Sequence, residues 1–497
     1  MLFYKQHGLN DLMYITTQDV DGYFHRKNND KQMKYKVWGK AKSVLKPDKK
    51  HHASLAALLF IAGLLLTIAL VIRLTMLYLG TVYTGVREPY IQLLTTNSVI
   101  IRWQAEDAAK VRVEAGKTPA HTEIIVEEPR AKLSHEIQLN NLRPATRYYY
   151  RLYHDNKLFR GGAEYWFETA PEVASVSPVR IWLMGDPGRP GTAIRSVQAG
   201  MTEWLSSHPR SGQSDLNLIV STGDSAYYSG TNEEYQRGLF DIHQQLFKNV
   251  AFWPVYGNHE AKGWSFFNIF SLPKNAEAGG VASATEHYYS VDYGSLHMVF
   301  LDSNDGGFSA NDSMISWLKK DLQTTRQKWL VVFMHHPPYS RGHHNSNDPK
   351  DSGNRMFNMR MRVNPVLEKA GVDLVISGHS HSYERSYLLN CHYGVISAFE
   401  PQSIVQKGPV FTKPAVRAAN QGVIYTVLGS SAKAVKGRFD HPAMAVSKAI
   451  LGSMILDIDD DKLVARFIDT NAQVLDRFEI IKSEAATINT RLQQVCQ

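Results

Sequence analysis

The sequence predicts an α/β layered domain, with β-sheets flanked by helices, preceded by an all-β domain and one transmembrane helix. Three observations carry this prediction. Residues 53–72 are an uncharged apolar run, short apolar and aromatic stretches recur over 86–171, and longer apolar runs alternate with helical patterns over 178–482. The chain of 497 residues is long enough for about three such units.

The transmembrane prediction rests on the run ASLAALLFIAGLLLTIALVI at residues 53–72. A helix of that length spans a bilayer core of roughly 30 Å. Apolar character continues past Arg73, so we predict the anchor at residues 53–79. The run is longer than the apolar region of a signal peptide and has no obvious cleavage site after it. A buried core helix is the less favoured alternative.

Most of the formal net charge of +8 precedes this span, because residues 1–52 carry 11 Lys and Arg against 5 Asp. A global basic surface for nucleic acid is therefore not indicated. Lysine-rich flanks stay on the cytoplasmic side, so residues 1–52 are expected to be a cytoplasmic basic segment. The larger part of this single-pass membrane protein is then periplasmic or extracellular. That location permits a disulfide between Cys391 and Cys496, whose pairing the sequence leaves open.

Residues 86–171 contain short strand-like stretches rich in β-branched and aromatic residues, which are typical of a β-sandwich. These stretches are residues 98–103, 110–116, 135–139, 148–153 and 165–170. The segment LRPATRYYYR at 142–151 resembles the tyrosine corner of fibronectin type III domains, with Trp103 as the core tryptophan. An unrelated β-domain is the alternative.

From residue 178 onward, continuous apolar runs alternate with helical stretches such as SMISWLKKDLQTT, as expected for a layered α/β domain. Five runs lead into polar residues of metal-ligand type: GDPG (185–188), GDSAY (223–227), GNHE (257–260), VFMH (332–335) and GHSH (378–381). Sites in such sheets lie beyond the carboxyl ends of the strands. Carboxylate, amide and imidazole groups in this number suit two transition-metal ions better than one zinc ion.

These five motifs, in this order, resemble those of the calcineurin-like metallophosphoesterases, and most closely those of the purple acid phosphatases. The resemblance covers about residues 86–480, including a fibronectin-like domain in front. It implies an α/β layered metallophosphoesterase sandwich for residues 178–482 and an all-β fibronectin III-like domain for residues 86–171. The transmembrane helix and residues 1–52 lie outside it.

The resemblance also implies seven metal ligands. One ion is bound by Asp186, Tyr227 and His381, the other by Asn258, His335 and His379, and Asp224 bridges the two. A phenolate ligand favours Fe(III), so the expected cofactors are Fe(III) and a divalent Zn, Mn or Fe ion. Tyr228 takes the place of Tyr227 if the spacing is offset by one residue.

Two such ions imply that phosphomonoesters are hydrolysed by attack of a metal-bound hydroxide. His259, beside the ligand Asn258, is the first candidate for protonating the leaving group, and His343 and His344 are the next, because histidine takes both protonation states near neutrality. The expected substrate is a phosphorylated small molecule or a phosphoprotein.

Two alternatives stay open. The same metal site serves a phosphodiesterase or a nucleotide pyrophosphatase. A non-catalytic surface-binding protein is disfavoured, because all seven ligand positions hold the expected residue type. Residues 392–421 are predicted to form a lid or rim loop that selects the substrate. The sequence leaves open the physiological substrate, the second metal, the oligomeric state and the role of residues 1–52.

Overall fold

The structure, a computed structural model, describes residues 49–212, 214–304 and 313–489, with side chains from residue 57 onward. The chain divides into two compact units, residues 1–70 and 71–497. Nearly all of the predicted cytoplasmic segment lies outside the described residues, and so does Cys496.

Helix α1 (Lys49–Thr81) contains the predicted anchor and extends beyond both of its ends. Its section Ala57–Thr81 has a mean hydropathy of 2.6, and none of it is buried against protein. By length and composition this helix can cross a membrane. An isolated helix of such residues would otherwise expose a continuous apolar surface to water.

Six strands form the all-β region that follows α1. They are β1 (Arg87–Gln92), β2 (Val99–Gly116), β3 (Ile124–Leu139), β4 (Arg147–His154), β5 (Lys157–Arg160) and β6 (Trp166–Glu168). The predicted stretches 98–103 and 110–116 belong to the single long strand β2, whose register with β3 shifts between Gln104 and Val111. β1 pairs with the first half of β2 and β4 with its second half. One irregular strand thus replaces the two that the sequence predicts.

The remaining strands form two mixed sheets. The seven-stranded sheet has the order β16-β21-β20-β19-β7-β8-β9, and the eight-stranded sheet has the order β10-β11-β12-β13-β17-β14-β15, with β18 also paired to β14. Their bounds are β7 (Val179–Met184), β8 (Leu218–Ser221), β9 (Ala251–Pro254), β10 (Tyr289–Tyr293), β11 (Leu296–Leu301), β12 (Trp329–Met334), β13 (Leu374–Ser377), β14 (Tyr383–Leu389), β15 (Ile404–Gln406), β16 (Val410–Pro414), β17 (Val423–Leu428), β18 (Met444–Lys448), β19 (Gly452–Asp459), β20 (Lys462–Asp469) and β21 (Val474–Ser483).

The two sheets share one hydrophobic core between them. Leu183 of β7 and Phe300 of β11 belong to this core, although they lie in different sheets. Successive residues of a strand point to opposite faces, so Leu301 belongs instead to a second cluster with Leu318, which lies on the helix Ser313–Thr324. The apolar runs are continuous because both faces of these strands are buried. This arrangement is the predicted α/β layered sandwich.

Helices cover the outer faces and carry several loops. Their bounds are α2 (Thr192–Ser207), α3 (Asn232–Tyr235), α4 (Asp241–Phe247), α5 (Phe266–Ile269), α6 (Ser313–Thr324), α7 (Arg355–Asn358) and α8 (Asn364–Ala370). Single π-helical turns at Gln236–Phe240 and Met359–Val363 join α3 to α4 and α7 to α8. The helix predicted from SMISWLKKDLQTT is α6.

Residues 392–421 are less loop-like than the sequence predicts. Within them β15 pairs with β14, and β16 pairs in parallel with β21. Phe411 of β16 is fully buried in the core. The prediction of a lid over this whole segment was wrong, because its apolar residues extend the two sheets.

Candidate metal centre

The five polar motifs lie at the carboxyl ends of five strands, where the two sheets meet. Asp186 follows β7, Asp224 follows β8, Asn258 follows β9, His335 follows β12, and His379 and His381 follow β13. β7, β8 and β9 are parallel neighbours in one sheet, and β12 and β13 are parallel neighbours in the other. The strand order therefore brings side chains of metal-ligand type together from distant parts of the sequence.

A first group of donors surrounds the hydroxyl of Tyr227. This oxygen lies 3.2 Å from Asp186 Oδ1, 3.0 Å from Asp224 Oδ2 and 3.2 Å from His381 Nε2. The carboxyl groups of both aspartates and the tyrosine ring are buried. Two carboxylates, one phenol and one imidazole thus converge on a single point.

A second group lies on the other side of Asp224. His335 Nε2 and His379 Nδ1 each lie 2.9 Å from Asn258 Oδ1 and 3.3 Å from one another. Asp224 Oδ1 is 3.4 Å from His335 Nε2. The two carboxylate oxygens of Asp224 therefore face the two different donor groups.

The backbone of these strand ends is strained. Asp186 has a φ of 53°, Asp224 a φ of 53° and His379 a φ of 65°, a left-handed region that residues other than glycine seldom adopt. Gly223 has a φ of 97°, and a Cβ there would lie 2.7 Å from His335 Nδ1. Strain at three neighbouring polar residues points to a functional requirement for their orientation.

The structure separates the two tyrosines of the GDSAYY loop. The hydroxyl of Tyr227 enters the first donor group, whereas 57% of Tyr228 is exposed to solvent. The spacing of three residues from Asp224 thus places Tyr227, and not Tyr228, beside the carboxylates. Tyr228 instead contributes its carbonyl oxygen, which lies 2.8 Å from His259 Nδ1.

Hydrogen bonds from surrounding residues orient the donors. The ring Nδ1 of His335 donates to the carbonyl oxygen of Thr222 at 2.9 Å, which leaves Nε2 directed at the second group. His379 Nε2 lies 2.6 Å from Ser352 Oγ, so its Nδ1 faces the second group. The carboxylate of Glu260 accepts from the backbone N–H groups of Asp224 and Gly257 at 2.9 and 3.0 Å. Such contacts fix the tautomer and orientation of metal ligands.

The three predicted catalytic histidines surround these donors. Each packs its ring against one of them: His259 against Tyr227 at 4.2 Å, His343 against His381 at 4.8 Å and His344 against His379 at 4.0 Å between ring centroids. His259 Nε2 lies 3.8 Å from Asp224 Oδ2. All ten residues predicted for the site therefore belong to one cluster.

His343 and His344 differ in their electrostatic surroundings. Burial, together with the neighbouring His344 and Lys433, lowers the pKa of His343 to about 4. His344 Nδ1 lies 2.8 Å from Asp351 Oδ1. Burial alone raises the pKa of Asp351, but hydrogen bonds from His344, the Asn345 N–H and Ser352 outweigh it and lower this pKa to about 2. The ionised Asp351 is therefore suited to orient His344.

The donor set fits metal ions. Burial, and then repulsion from Asp224, raises the pKa of Asp186 well above its usual range. Burial and the two aspartates likewise raise the pKa of Tyr227, whereas burial lowers the pKa of His335 and His379. Neutral imidazoles with a directed ring nitrogen bind metals. A cation among the buried oxygens would relieve the repulsion between the carboxylates.

Sequence reasoning missed several residues that support this centre. Glu260 is the last residue of the GNHE motif, but its role as a backbone acceptor depends on loops that meet only in the fold. Ser352 and Asp351 lie on a short loop with no motif of its own. His336 is buried, with its Nδ1 2.8 Å from Ser303 Oγ. Its ring centroid lies 4.4 Å from that of His379, a contact between two strand ends that the sequence does not reveal.

Comparisons with known proteins agree with this geometry. The model of the family described as calcineurin-like phosphoesterase matches residues 179–383. Purple acid phosphatase 21 of Arabidopsis thaliana is 28% identical over 268 residues, which are 50% of this chain and 53% of the relative. Purple acid phosphatase 22 of Arabidopsis thaliana is 30% identical over 269 residues, again 50% and 53%. The chain thus spans about half the length of the curated relatives it matches.

A solved structure extends the likeness to the fold. The purple acid phosphatase isolated from yellow lupin (Lupinus luteus) seeds superimposes with a TM-score of 0.59 at 16% identity, covering 80% of this chain and 74% of that one. At this identity the likeness concerns the fold alone. The α/β region has the calcineurin-like metallophosphoesterase fold. The chain has homologues among the purple acid phosphatases.

Proposed function

We propose that this protein is a membrane-anchored, dinuclear metal-dependent phosphoesterase that hydrolyses phosphomonoesters. The observation that carries the proposal is the position of Asp224. Its Oδ2 is 3.0 Å from the Tyr227 hydroxyl and its Oδ1 is 3.4 Å from His335 Nε2. A carboxylate shared by two donor groups is the arrangement that two adjacent ions need.

In this proposal Asp186, Tyr227 and His381 would hold one ion, Asn258, His335 and His379 would hold the other, and Asp224 would be a ligand of both. The phenol of Tyr227 favours Fe(III) in the first position, with a divalent Zn, Mn or Fe ion in the second. When bound, two such ions neutralise phosphate oxygens and lower the pKa of a water molecule. Glu260 and Thr222 keep the donors oriented through the hydrogen bonds described above.

The proton for the leaving group comes from His259. Its Nδ1 donates to the carbonyl oxygen of Tyr228 at 2.8 Å, so Nε2 points towards Asp224. His343 is a weaker candidate acid, because its pKa of about 4 keeps it neutral near pH 7. His344, held by Asp351, is positioned to donate a hydrogen bond to a phosphate oxygen.

The other regions have proposed roles as well. The all-β region is a fibronectin III-like domain, supported by the buried Trp103 and by Tyr148, whose hydroxyl accepts from the Arg143 N–H at 3.0 Å. Helix α1 is a single-pass anchor with its N-terminus in the cytoplasm, supported by the lysines before it. The catalytic domain is then periplasmic or extracellular, in agreement with a disulfide bond at Cys391.

The substrate class is tested with the full chain, purified in detergent and supplied with ferric and divalent ions. We expect phosphomonoesters to be hydrolysed faster than diesters or pyrophosphates. A preference for diesters or pyrophosphates would support the alternative enzyme class. No turnover of any phosphoester with two ions bound would contradict the proposed activity and favour a non-catalytic binding protein.

The iron assignment has a separate optical test. A phenolate bound to Fe(III) gives a broad visible absorption band. Tyr227→Phe keeps the ring but removes the oxygen, so the band should disappear. Tyr228→Phe is the matched control and should keep it. Loss of the band in Tyr228→Phe alone, or a colourless wild type with two ions bound, would contradict the assignment.

A further inference from the structure

The last residues of helix α1, which lie within the larger unit, are hydrogen-bonded to side chains near the candidate metal centre. Ser265 Oγ donates to the carbonyl oxygen of Gly80 at 3.0 Å, and Asn232 Nδ2 donates to that of Thr81 at 2.9 Å. Both polar side chains are buried. The point at which the chain leaves the apolar helix is therefore fixed against the first residue of α3.

The same short helix holds the loop that supplies Tyr227. The carboxylate of Glu234 in α3 accepts from the backbone N–H groups of Ser229 and Thr231 at 2.9 and 3.0 Å, and also from that of Tyr228. The methyl group of Thr231 lies 3.3 Å from the position of a Cβ on Gly80. The attachment of the helix and the metal-binding loop thus share one support.

Two aromatic and two basic side chains lie around this loop. Tyr228 is 57% exposed and Trp264 is 47% exposed, although both are large and apolar. The guanidinium carbon of Arg189 is 5.5 Å from the centre of the Tyr228 ring, and Lys262 Nζ is 3.2 Å from the Tyr228 carbonyl oxygen. We name these four residues the aromatic–basic rim.

The composition of this rim matches the surface of a bilayer. Tyr and Trp accumulate at the level of lipid headgroups, and Lys and Arg are attracted to anionic lipid phosphates. The rim also adjoins the end of α1 in space, since Trp264 directly precedes Ser265, whose Oγ donates to the Gly80 carbonyl oxygen. Two exposed aromatic rings beside a helix that can cross a membrane match this interfacial preference.

We propose that the aromatic–basic rim rests on the headgroup layer and that the substrate is a membrane lipid with a phosphomonoester headgroup. The inference rests on the proposed phosphoesterase function. In the reaction, the bond from phosphorus to the lipid oxygen breaks and a bond from phosphorus to the oxygen of water forms. The lipid oxygen receives its proton from His259, and the attacking water restores that proton to His259, so the products are a lipid alcohol and inorganic phosphate. Tethering beside the lipid raises the local concentration of this substrate.

The test compares the hydrolysis of a phosphomonoester on a membrane lipid with that of a phosphomonoester on a dissolved molecule. The full chain is reconstituted into phosphatidylcholine vesicles that contain phosphatidic acid, and its rate is compared with that on dissolved glycerol 3-phosphate. The wild type should show a kcat/KM at least about tenfold higher for the lipid. Trp264→Ser should lower lipid hydrolysis by about tenfold and leave the rate on glycerol 3-phosphate unchanged. The unchanged rate on the soluble substrate would also show that the variant is folded.

Val416→Ser is the matched control. Val416 is 67% exposed and follows β16, at the edge of the seven-stranded sheet opposite β9, so both rates should stay at the wild-type level. Equal wild-type rates on the two substrates, or a parallel loss of both in Trp264→Ser, would overturn the inference and leave the phosphoesterase proposal intact. Failure of the wild type on both substrates would contradict the proposed function itself.

Discussion

Two buried clusters of histidine and carboxylate lie in the α/β region, and they differ in what faces the ring nitrogens. His297 donates from Nδ1 to Asp292 at 2.7 Å and from Nε2 to Asp321 at 2.8 Å. In the candidate metal centre, His335 uses Nδ1 for the carbonyl oxygen of Thr222 and turns Nε2 towards other donors. In the first cluster, which we call the closed cluster, both ring nitrogens are paired with carboxylates. In the second cluster, ligand-type atoms of several side chains converge on one another.

The electrostatic consequence is opposite in the two clusters. Burial lowers the pKa of His297, but hydrogen bonds and the charges of Asp292 and Asp321 outweigh it and raise this pKa to about 9. Burial dominates for His335 and lowers its pKa. A buried histidine that is charged serves as a structural cation, while a neutral one can bind a metal. The two clusters share residue types and differ in the direction of their ring nitrogens, which leaves the second cluster able to bind a metal.

Removing one carboxylate from each cluster tests whether the two clusters differ in metal binding. Asp224→Ala should lower turnover by about 10³-fold, because it removes the shared ligand and with it several kcal/mol of transition-state stabilisation. Metal content, measured by plasma mass spectrometry, should fall with it. Asp321→Asn is the matched change in the closed cluster and should keep both ions. Equal metal loss in the two variants would show that the clusters do not differ as described.

A second variant separates proton transfer from metal binding. His259→Ala should lower turnover by roughly 10²–10⁴-fold with metal content unchanged, if His259 is the general acid. An alkyl leaving group should be affected more than an activated aryl one. His287→Ala, whose side chain is 44% exposed, serves as the control and should retain activity. Equal loss for both leaving groups would argue that His259 binds phosphate instead.

The closed cluster predicts a pH dependence of stability. The folded pKa of His297 is about 9, above the unfolded value of about 6.5. The stabilisation is therefore complete below about pH 6.5, decreases as the pH rises and is lost above about pH 9. It amounts to about 3 kcal/mol at most. Thermal unfolding between pH 6 and 10 measures it, and Asp321→Asn should flatten the profile. A profile identical to that of the wild type would contradict this account.

Much of the fold and site is predictable from the sequence because the signals are local. Strands buried on both faces produce continuous apolar runs, and ligand-type residues follow them directly, so the α/β sandwich was predictable and is confirmed. The anchor and the fibronectin-like character of the all-β region stay predictions. The merging of two predicted strands into β2 was not predictable, because the stretch QAEDAA at 104–109 resembles a break between strands, whereas in the fold it continues the strand with a shifted register.

Other features depend on contacts between distant segments. The choice between Tyr227 and Tyr228 required the loop conformation, which turns one ring inward and the other to solvent. The strands within residues 392–421 form through pairing with β14 and β21, which no local pattern reveals. The support given by Glu260 and Asp351 arises where loops from different strands meet. Features that depend on such long-range contacts cannot be predicted from local patterns in a single sequence.

In the proposed function, the cluster around Asp224 binds two metal ions that share this carboxylate. The most direct measurement is the number of iron, zinc and manganese ions per chain, determined by plasma mass spectrometry on the full-length protein after removal of loosely bound metal. We expect two ions per chain in the wild type and fewer than one in Asp224→Ala. A wild type that binds no ion or one ion, or an Asp224→Ala variant that keeps two, would contradict it.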